Sequence, residues 1–187
     1  MPTPSNEAYI SVDIETAGPN PYDYSLLSIG ACTILESQSS FYVELRPVND
    51  NASEEALAIS KLSLAKLDER GEEPAVAMAR FEEWVNEVTP DGYQPIFVAF
   101  NAPFDWMFIN DYFHRYLGRN PFGHTALDMK AFFMGLTGVT WSETSMHYVG
   151  RRYLGDRHLT HHALRDALDQ AEIFVLMLEQ ARDRLTD

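Results

Sequence analysis

The sequence predicts an α/β domain in which a mixed sheet is flanked by helices. Apolar stretches of strand length come first and are separated by short breaks, which favours an antiparallel start. Helical patterns follow and alternate with short strands in the second half, which favours helices packed against the sheet. The chain has 187 residues, enough for one domain with a sizeable core. We expect that domain to span residues 8–184, after a flexible polar segment at 1–7.

The first three strands are predicted near the N-terminus. Residues 8–14 alternate, so that the apolar side chains at 10, 12 and 14 leave one face and the side chains at odd positions leave the other. The Gly-Pro-Asn-Pro stretch at 18–21 interrupts the chain, and the apolar stretches at 26–35 and 41–45 predict two further strands.

The middle of the chain predicts helices separated by a short strand. Residues 53–67 have some helical character, and a helix with a glutamate-rich outer side begins at Pro74 and ends at Val88. Its expected buried residues are Val76, Phe81, Trp84, Val85 and Val88. Residues 95–100 predict a strand, and a helix rich in aromatic residues follows from Pro103. We interpret that aromatic stripe mostly as core.

The last third of the chain predicts one more strand and three helices. Residues 125–127 form the strand, and Asp128 is expected to cap the next helix. Residues 143–154 favour a further helix, after a loop marked by two glycines. The strongest helical periodicity runs from 163 to about 182, with alanines and large apolar residues on one side.

The charge of the chain limits what it binds. There are 14 basic and 28 acidic residues, a net charge of −14, which argues against a broad basic face for long nucleic acid. Half of the basic residues lie within residues 115–165. This segment is either a local phosphate-binding patch or simply a solvated surface, and the sequence leaves both interpretations open. We expect no signal peptide and no membrane span. The single cysteine, Cys32, lies in an apolar stretch, and a cytoplasmic location is the default expectation.

Two acids on the first strand suggest a cation site. Asp13 and Glu15 leave the same face of a strand whose other face is apolar. Two adjacent carboxylates in a partly dry place repel each other unless one is protonated or a cation lies between them. Oxygen ligands suit Mg²⁺ or Mn²⁺. Taken alone, the pair is weak evidence, and a surface strand that carries two acids explains it better.

Three further residues open helices and allow two interpretations each. Asp105 lies in the first turn of the aromatic helix, where an acid offsets the helix dipole. The same strand-to-helix junction is also where active-site groups collect in α/β sheets. His161 and Asp166 open the last helix, where capping is the simple alternative to a catalytic role.

In this order the three segments resemble the motifs of the DnaQ-like, DEDDh subgroup of 3′–5′ exonucleases. The motifs are Val12–Gly18, Ala99–Asp105 and His161–Ala167, and residues 55–63 resemble the family's segment between the early strands and the next helix. The family usually has glycine where Lys61 stands. The resemblance covers about residues 8–180.

The resemblance implies a fold, a chemistry and a set of ligands. The fold would be ribonuclease-H-like, a mixed five-stranded sheet with helices on both faces. Asp13, Glu15, Asp105 and Asp166 would hold two divalent ions, Mg²⁺ or Mn²⁺, for hydrolysis that releases nucleoside monophosphates from the 3′ end. His161, rather than the adjacent His162, would be the general base.

The substrate is less well defined by the sequence. Positions that would meet the terminal nucleotide or a phosphate by analogy are Thr16, Ala17, Leu57, Ile59, Phe100, Asn101, Phe104 and Arg157. We expect a single-stranded or short nucleic acid, with a slight lean to RNA. A phosphodiesterase acting on dinucleotides is the alternative, and a non-catalytic binding module is a weaker one. The sequence leaves monomer against homodimer open.

Overall fold

A five-stranded mixed sheet lies at the centre of the computed structural model, which describes residues 6–34, 39–155 and 160–186. Its strands are β1 (Glu7–Thr16), β2 (Leu26–Thr33), β3 (Ser40–Glu44), β4 (Gln94–Ala99) and β5 (Ala126–Asp128). The spatial order is β3-β2-β1-β4-β5. The first three strands pair antiparallel, and β4 and β5 join in parallel, so the expected mixed sheet is confirmed.

Helices cover both faces of this sheet. They are α1 (Glu54–Ser60), α2 (Leu64–Arg70), α3 (Pro74–Val88), α4 (Ala102–Leu117), α5 (Met129–Thr137), α6 (Met146–Leu154) and α7 (Ala163–Thr186). Alternation along β1 explains the two layers. Ile10 and Val12 pack with residues of α3 and α4, whereas α5, α6 and α7 share a second apolar cluster that includes Val98 of β4. The aromatic stripe of α4 is core, as expected.

Helix α7 lies unusually close to β1 and β2. Ser11 Oγ on β1 donates a 2.8 Å hydrogen bond to the carbonyl of Ala167. On β2, a Cβ at Gly30 would lie 2.1 Å from the backbone nitrogen of Leu164, so only glycine leaves room for the helix there. The first turns of α7 are therefore held against the middle of the sheet.

The segment at 53–67 divides into two short helices at a left-handed residue. Lys61 follows α1 with φ 58° and donates its backbone N–H to the carbonyl of Leu57. Left-handed backbone favours glycine, which gives a physical reason for glycine at this position in similar sequences. Lysine here carries a small conformational cost.

The structure corrects two details of the predicted helices. The helix expected at 143–154 is interrupted, because a 3₁₀ turn covers Trp141–Thr144 and Ser145 is extended before α6 begins. Val76 is 49% exposed, because the buried side of α3 consists of Ala77, Met78, Phe81, Trp84 and Val85.

Strand β1 begins at Glu7, one residue before the expected boundary, and residues 1–5 lie outside the described residues. Across the described ranges, no helix is both long and apolar enough to cross a membrane.

Candidate active site

Four carboxylates converge where β1 extends past β4. The pairing of β1 with β4 ends at Ser11 and Val98, and Asp13 lies beyond that point. Burial raises the pKa of Asp13 well above its usual value, and the negative charges of Asp105, Asp166 and Glu15 raise it further. Three acids from three separate elements therefore surround Asp13.

Asp105 reaches this cluster because α4 begins immediately after β4. Asn101 adopts a left-handed conformation, φ 64°, which reverses the chain between strand and helix. The Asp105 carboxylate is then buried, and the backbone of Asp105 itself and that of Ile14 offset part of the rise that burial causes in its pKa. The N–H of Ala102 is held by Asp128 Oδ1 at 3.1 Å, which ties the start of α4 to the end of β5.

Asp166 both caps its loop and faces the cluster. Its Oδ1 accepts hydrogen bonds from the backbone N–H and the hydroxyl of Thr160, at 2.9 and 3.1 Å. Its Oδ2 accepts one from the backbone N–H of His161 at 2.9 Å. The capping interpretation and the site interpretation of this residue are thus compatible.

His161 and His162 have different surroundings. His161 has φ 54°, and one of its ring nitrogens lies within 4.8 Å of carboxylate oxygens of Glu15 and Asp166. His162 instead stacks on Tyr42 of β3, with ring centroids 4.8 Å apart. Of the two adjacent histidines, His161 is the one grouped with the acids.

The electrostatics of the cluster favour a bound cation. Burial and Asp166 raise the pKa of Glu15 to about 7. Burial is also the main cause that raises the pKa of Asp105. Crowded carboxylates in a dry place keep protons unless positive charge replaces them. The donor atoms are carboxylate oxygens, with one imidazole at the edge, a set that fits hard divalent ions such as Mg²⁺ or Mn²⁺.

The residues expected near a terminal nucleotide fall into separate groups. Ala17 and Leu57 belong to one apolar cluster beside the end of β1, and Thr16 donates its hydroxyl to the carbonyl of Gly18 at 2.8 Å. Ile59 is 41% exposed on α1. Phe104 packs with the α3–α4 layer and Phe100 with the α7 layer, on opposite faces of the sheet. Arg157 lies outside the described residues.

Gln170 is a neighbour of the site that the sequence motifs do not include. It is buried in α7, donates to Asp13 Oδ1 at 2.6 Å, and accepts from the backbone N–H of Phe100 at 3.0 Å. One signal was present in the sequence. Gln170 shares the inward face of the helix with Ala163, Ala167 and Phe174, where a polar residue needs a buried partner.

Known proteins of similar sequence are exonucleases. The RNase_T family model, described as Exonuclease, matches residues 10–174. The chain is 43% identical over 171 residues to the 3′-5′ DNA exonuclease Cap18 of Escherichia coli, and the match covers 91% of each chain.

Solved structures of similar fold are nucleases. The nuclease domain of 3′hExo, a DEDDh family member bound to rAMP, superposes with a TM-score of 0.77 at 17% identity, over 92% of each chain. E. coli exonuclease I in complex with a dT13 oligonucleotide gives 0.72 at 18% identity, over 97% of this chain and 43% of that one. These likenesses confirm the expected ribonuclease-H-like fold. The chain therefore belongs to the DnaQ-like exonuclease family and is a 3′–5′ exonuclease.

Proposed function

We propose that this protein hydrolyses single-stranded DNA from its 3′ end and releases nucleoside 5′-monophosphates. One observation carries the catalytic part, the convergence of Asp13, Glu15, Asp105 and Asp166 with His161 beside them. The choice of DNA is supported by the relative named as a DNA exonuclease, which is 43% identical over 91% of this chain. The lean to RNA that the sequence suggested has no support of that kind.

The four carboxylates are proposed to hold two divalent ions. The family uses divalent metal ions, and the carboxylate oxygens of this cluster suit Mg²⁺ or Mn²⁺. Ions in such a pair lower the pKa of bound water and neutralise charge on the phosphate and the leaving oxygen. Asp13 and Asp105 are buried enough that their charged forms depend on such compensation.

His161 is proposed as the general base. It lies at the exposed side of the cluster, where it takes a proton from the attacking water and passes it to solvent. The water oxygen bonds to the phosphorus of the terminal nucleotide, and the bond from that phosphorus to the 3′ oxygen of the preceding nucleotide breaks. The 3′ oxygen leaves with the bonding electron pair and takes up a proton from solvent, so the products are a nucleoside 5′-monophosphate and a strand one nucleotide shorter with a 3′ hydroxyl.

The terminal nucleotide is proposed to lie beside the end of β1. Thr16 and Ala17 follow Glu15 directly but are buried, whereas the half-buried Leu57 packs against the apolar cluster that contains Ala17, so Leu57 supplies an apolar border beside the end of β1. Such a border suits a sugar and a base edge, while the phosphate faces the carboxylate cluster. A strand must then present its free 3′ end to reach the acids.

The acidic surface favours a second candidate, a phosphodiesterase that acts on dinucleotides. A net charge of −14 offers few partners for a long run of phosphates. The two candidates differ in how the rate depends on substrate length. A true exonuclease degrades a long single strand stepwise, whereas a dinucleotide phosphodiesterase loses kcat/KM steeply with each added nucleotide.

One digestion panel tests the proposal. Single- and double-stranded DNA and RNA of several lengths, labelled at either end, are incubated with Mn²⁺, Mg²⁺ or EDTA and scored for mononucleotides and for end polarity. We expect metal-dependent release from the 3′ end of single-stranded DNA, its loss in Asp13→Asn, and its retention in Asp68→Asn, an exposed acid on α2. Preference for RNA, or for dinucleotides alone, would overturn the proposed substrate.

A further inference from the structure

Gln170 joins the segments that carry the acidic cluster. Its amide nitrogen donates to Asp13 Oδ1 at 2.6 Å, and its amide oxygen accepts from the backbone N–H of Phe100 at 3.0 Å. Only 2% of the residue is exposed. The two contacts connect β1, the end of β4 and α7 through a single side chain.

The orientation of this amide is fixed by its partners. A backbone N–H is only a donor, so the amide oxygen must face Phe100, and the amide NH₂ must then face Asp13. A carboxylate that receives this donor on Oδ1 keeps its Oδ2 and its remaining lone pairs for other ligands. Rotation of the Asp13 side chain would break the bond, so the amide restricts the carboxylate to one orientation.

The position of Gln170 also links this contact to the other acids. Asp166 lies four residues earlier, on the same side of α7. Phe100 comes directly before Asn101, the left-handed residue from which α4 and Asp105 begin. A shift of any one of these elements therefore strains a bond that Gln170 makes.

We propose that Gln170 is a positioning residue for Asp13, and that the affinity of the acidic cluster for divalent cations depends on its amide. The inference rests on the proposed function, in which Asp13 is a metal ligand. Loss of hydrogen-bonding partners behind metal ligands commonly weakens binding by about 10–100-fold. Gln170 supplies such a partner and binds no substrate itself.

The test compares Gln170→Met with Ser11→Ala. Methionine keeps the length of the side chain and loses both hydrogen bonds. Ser11 also links β1 to α7, through the Ala167 carbonyl, but does not touch Asp13, so it controls for a general loosening of the helix. Mn²⁺ affinity is measured calorimetrically without substrate, and kcat is measured at limiting and at saturating Mn²⁺.

We expect Gln170→Met to bind Mn²⁺ about 10–100-fold more weakly, to need more Mn²⁺ for half-maximal rate, and to recover most of kcat at saturation. Ser11→Ala should lose stability but keep its Mn²⁺ affinity. Wild-type affinity in Gln170→Met, or an equal loss in Ser11→Ala, would refute the inference. Asp13→Asn tests the proposed metal site separately from the role of Gln170, because unchanged Mn²⁺ binding in that variant would refute the metal site itself.

A measurement on the unaltered protein covers the case in which Gln170→Met does not fold. By NMR, the side-chain NH₂ protons of Gln170 should exchange slowly with water. Their resonances should shift as Mg²⁺ is added, with the same midpoint as the calorimetric Mg²⁺ titration. Rapid exchange of these protons with water, or resonances that do not shift with Mg²⁺, would overturn the inference.

Discussion

Gly30 sets the distance between the sheet and the helix that carries Asp166. It is the cross-strand partner of Asp13 on β2, so a side chain at Gly30 would leave the sheet on the same face as the Asp13 carboxylate. Its Cβ in Gly30→Ala would lie 2.1 Å from Leu164 N, 2.2 Å from Ala163 C and 2.4 Å from Leu164 Cα. All three are backbone atoms, which cannot rotate away.

The displacement follows from these distances. Ordinary contact begins at 3.4 Å, so the start of α7 must move by 3.4 − 2.1, about 1.3 Å, or the sheet must bend by a similar amount. Overpacking of this kind costs about 1–3 kcal/mol of the free energy of unfolding. For a chain of this length the cost lowers Tm by roughly 2–12 °C.

The larger effect is expected in catalysis. Asp166 and His161 move with the start of α7, whereas Asp13 and Glu15 stay on β1. A misplacement of about 1 Å among reacting groups lowers turnover by about 10²-fold. We expect Gly30→Ala to fold at temperatures below its lowered Tm. Its kcat/KM on 3′-labelled single-stranded DNA should fall by at least about 10²-fold.

Gly135→Ala is the matched control. Gly135 lies in α5, and a Cβ added there would meet no other atom within 4 Å. Alanine at this position should therefore raise stability by about 0.5–1 kcal/mol and leave activity alone. Activity in Gly30→Ala equal to that of Gly135→Ala would refute the argument from close approach. A Tm loss without a loss of activity in Gly30→Ala would show that the sheet bends and the site does not.

Three other predictions concern single residues. Lys61→Gly should raise stability by roughly 0.5–1 kcal/mol, because relief of left-handed backbone, about 1–2 kcal/mol, outweighs the extra chain entropy of glycine, about 0.5–1 kcal/mol; an unchanged denaturation midpoint contradicts this. Without metal, the Tm should fall as the pH rises from about 4.5 to about 7, because folded Glu15 keeps a proton that the unfolded chain has lost. Glu15→Gln should reduce this dependence of Tm on pH. A wild-type Tm that rises from about pH 4.5 to about 7, or a pH dependence that is the same in Glu15→Gln, would count against Glu15 as the cause. His161→Ala should lower turnover by about 10²-fold or more, while calorimetry should show that Mn²⁺ still binds. The His162 ring stacks on Tyr42, so His162→Ala should lose much less turnover. Equal losses of turnover in the two variants would argue against His161 as the general base.

The sequence predicted the elements that position the site better than it predicted the contacts within it. The alternation along β1 and the proline in the first turn of α4 are local signals, and they placed Asp13 and Asp105 on the correct elements. The break at Ser145 was missed, because an extended residue between two short helical segments leaves the helical periodicity nearly unchanged.

The function of Gln170 could not be predicted in the same way. Its partner Asp13 is 157 positions away in the sequence, and no local pattern specifies a contact over that distance. Asp166 shows the opposite case. Both of its alternative interpretations came from local sequence. The carboxylate caps the loop at Thr160 and His161, and its place beside the other acids is compatible with the proposed metal site.

The separation of the acids along the chain has a consequence during synthesis. Asp166 follows Asp13 by 153 residues, so a growing chain contains the first carboxylates long before it contains the helix that completes the cluster. On the proposed mechanism, a nascent chain without α7 lacks one of the four carboxylates and cannot cut nucleic acid around it. Any cation held by the finished cluster also stabilises the native state over the unfolded one. On that mechanism, the nuclease becomes active and gains stability in the same step.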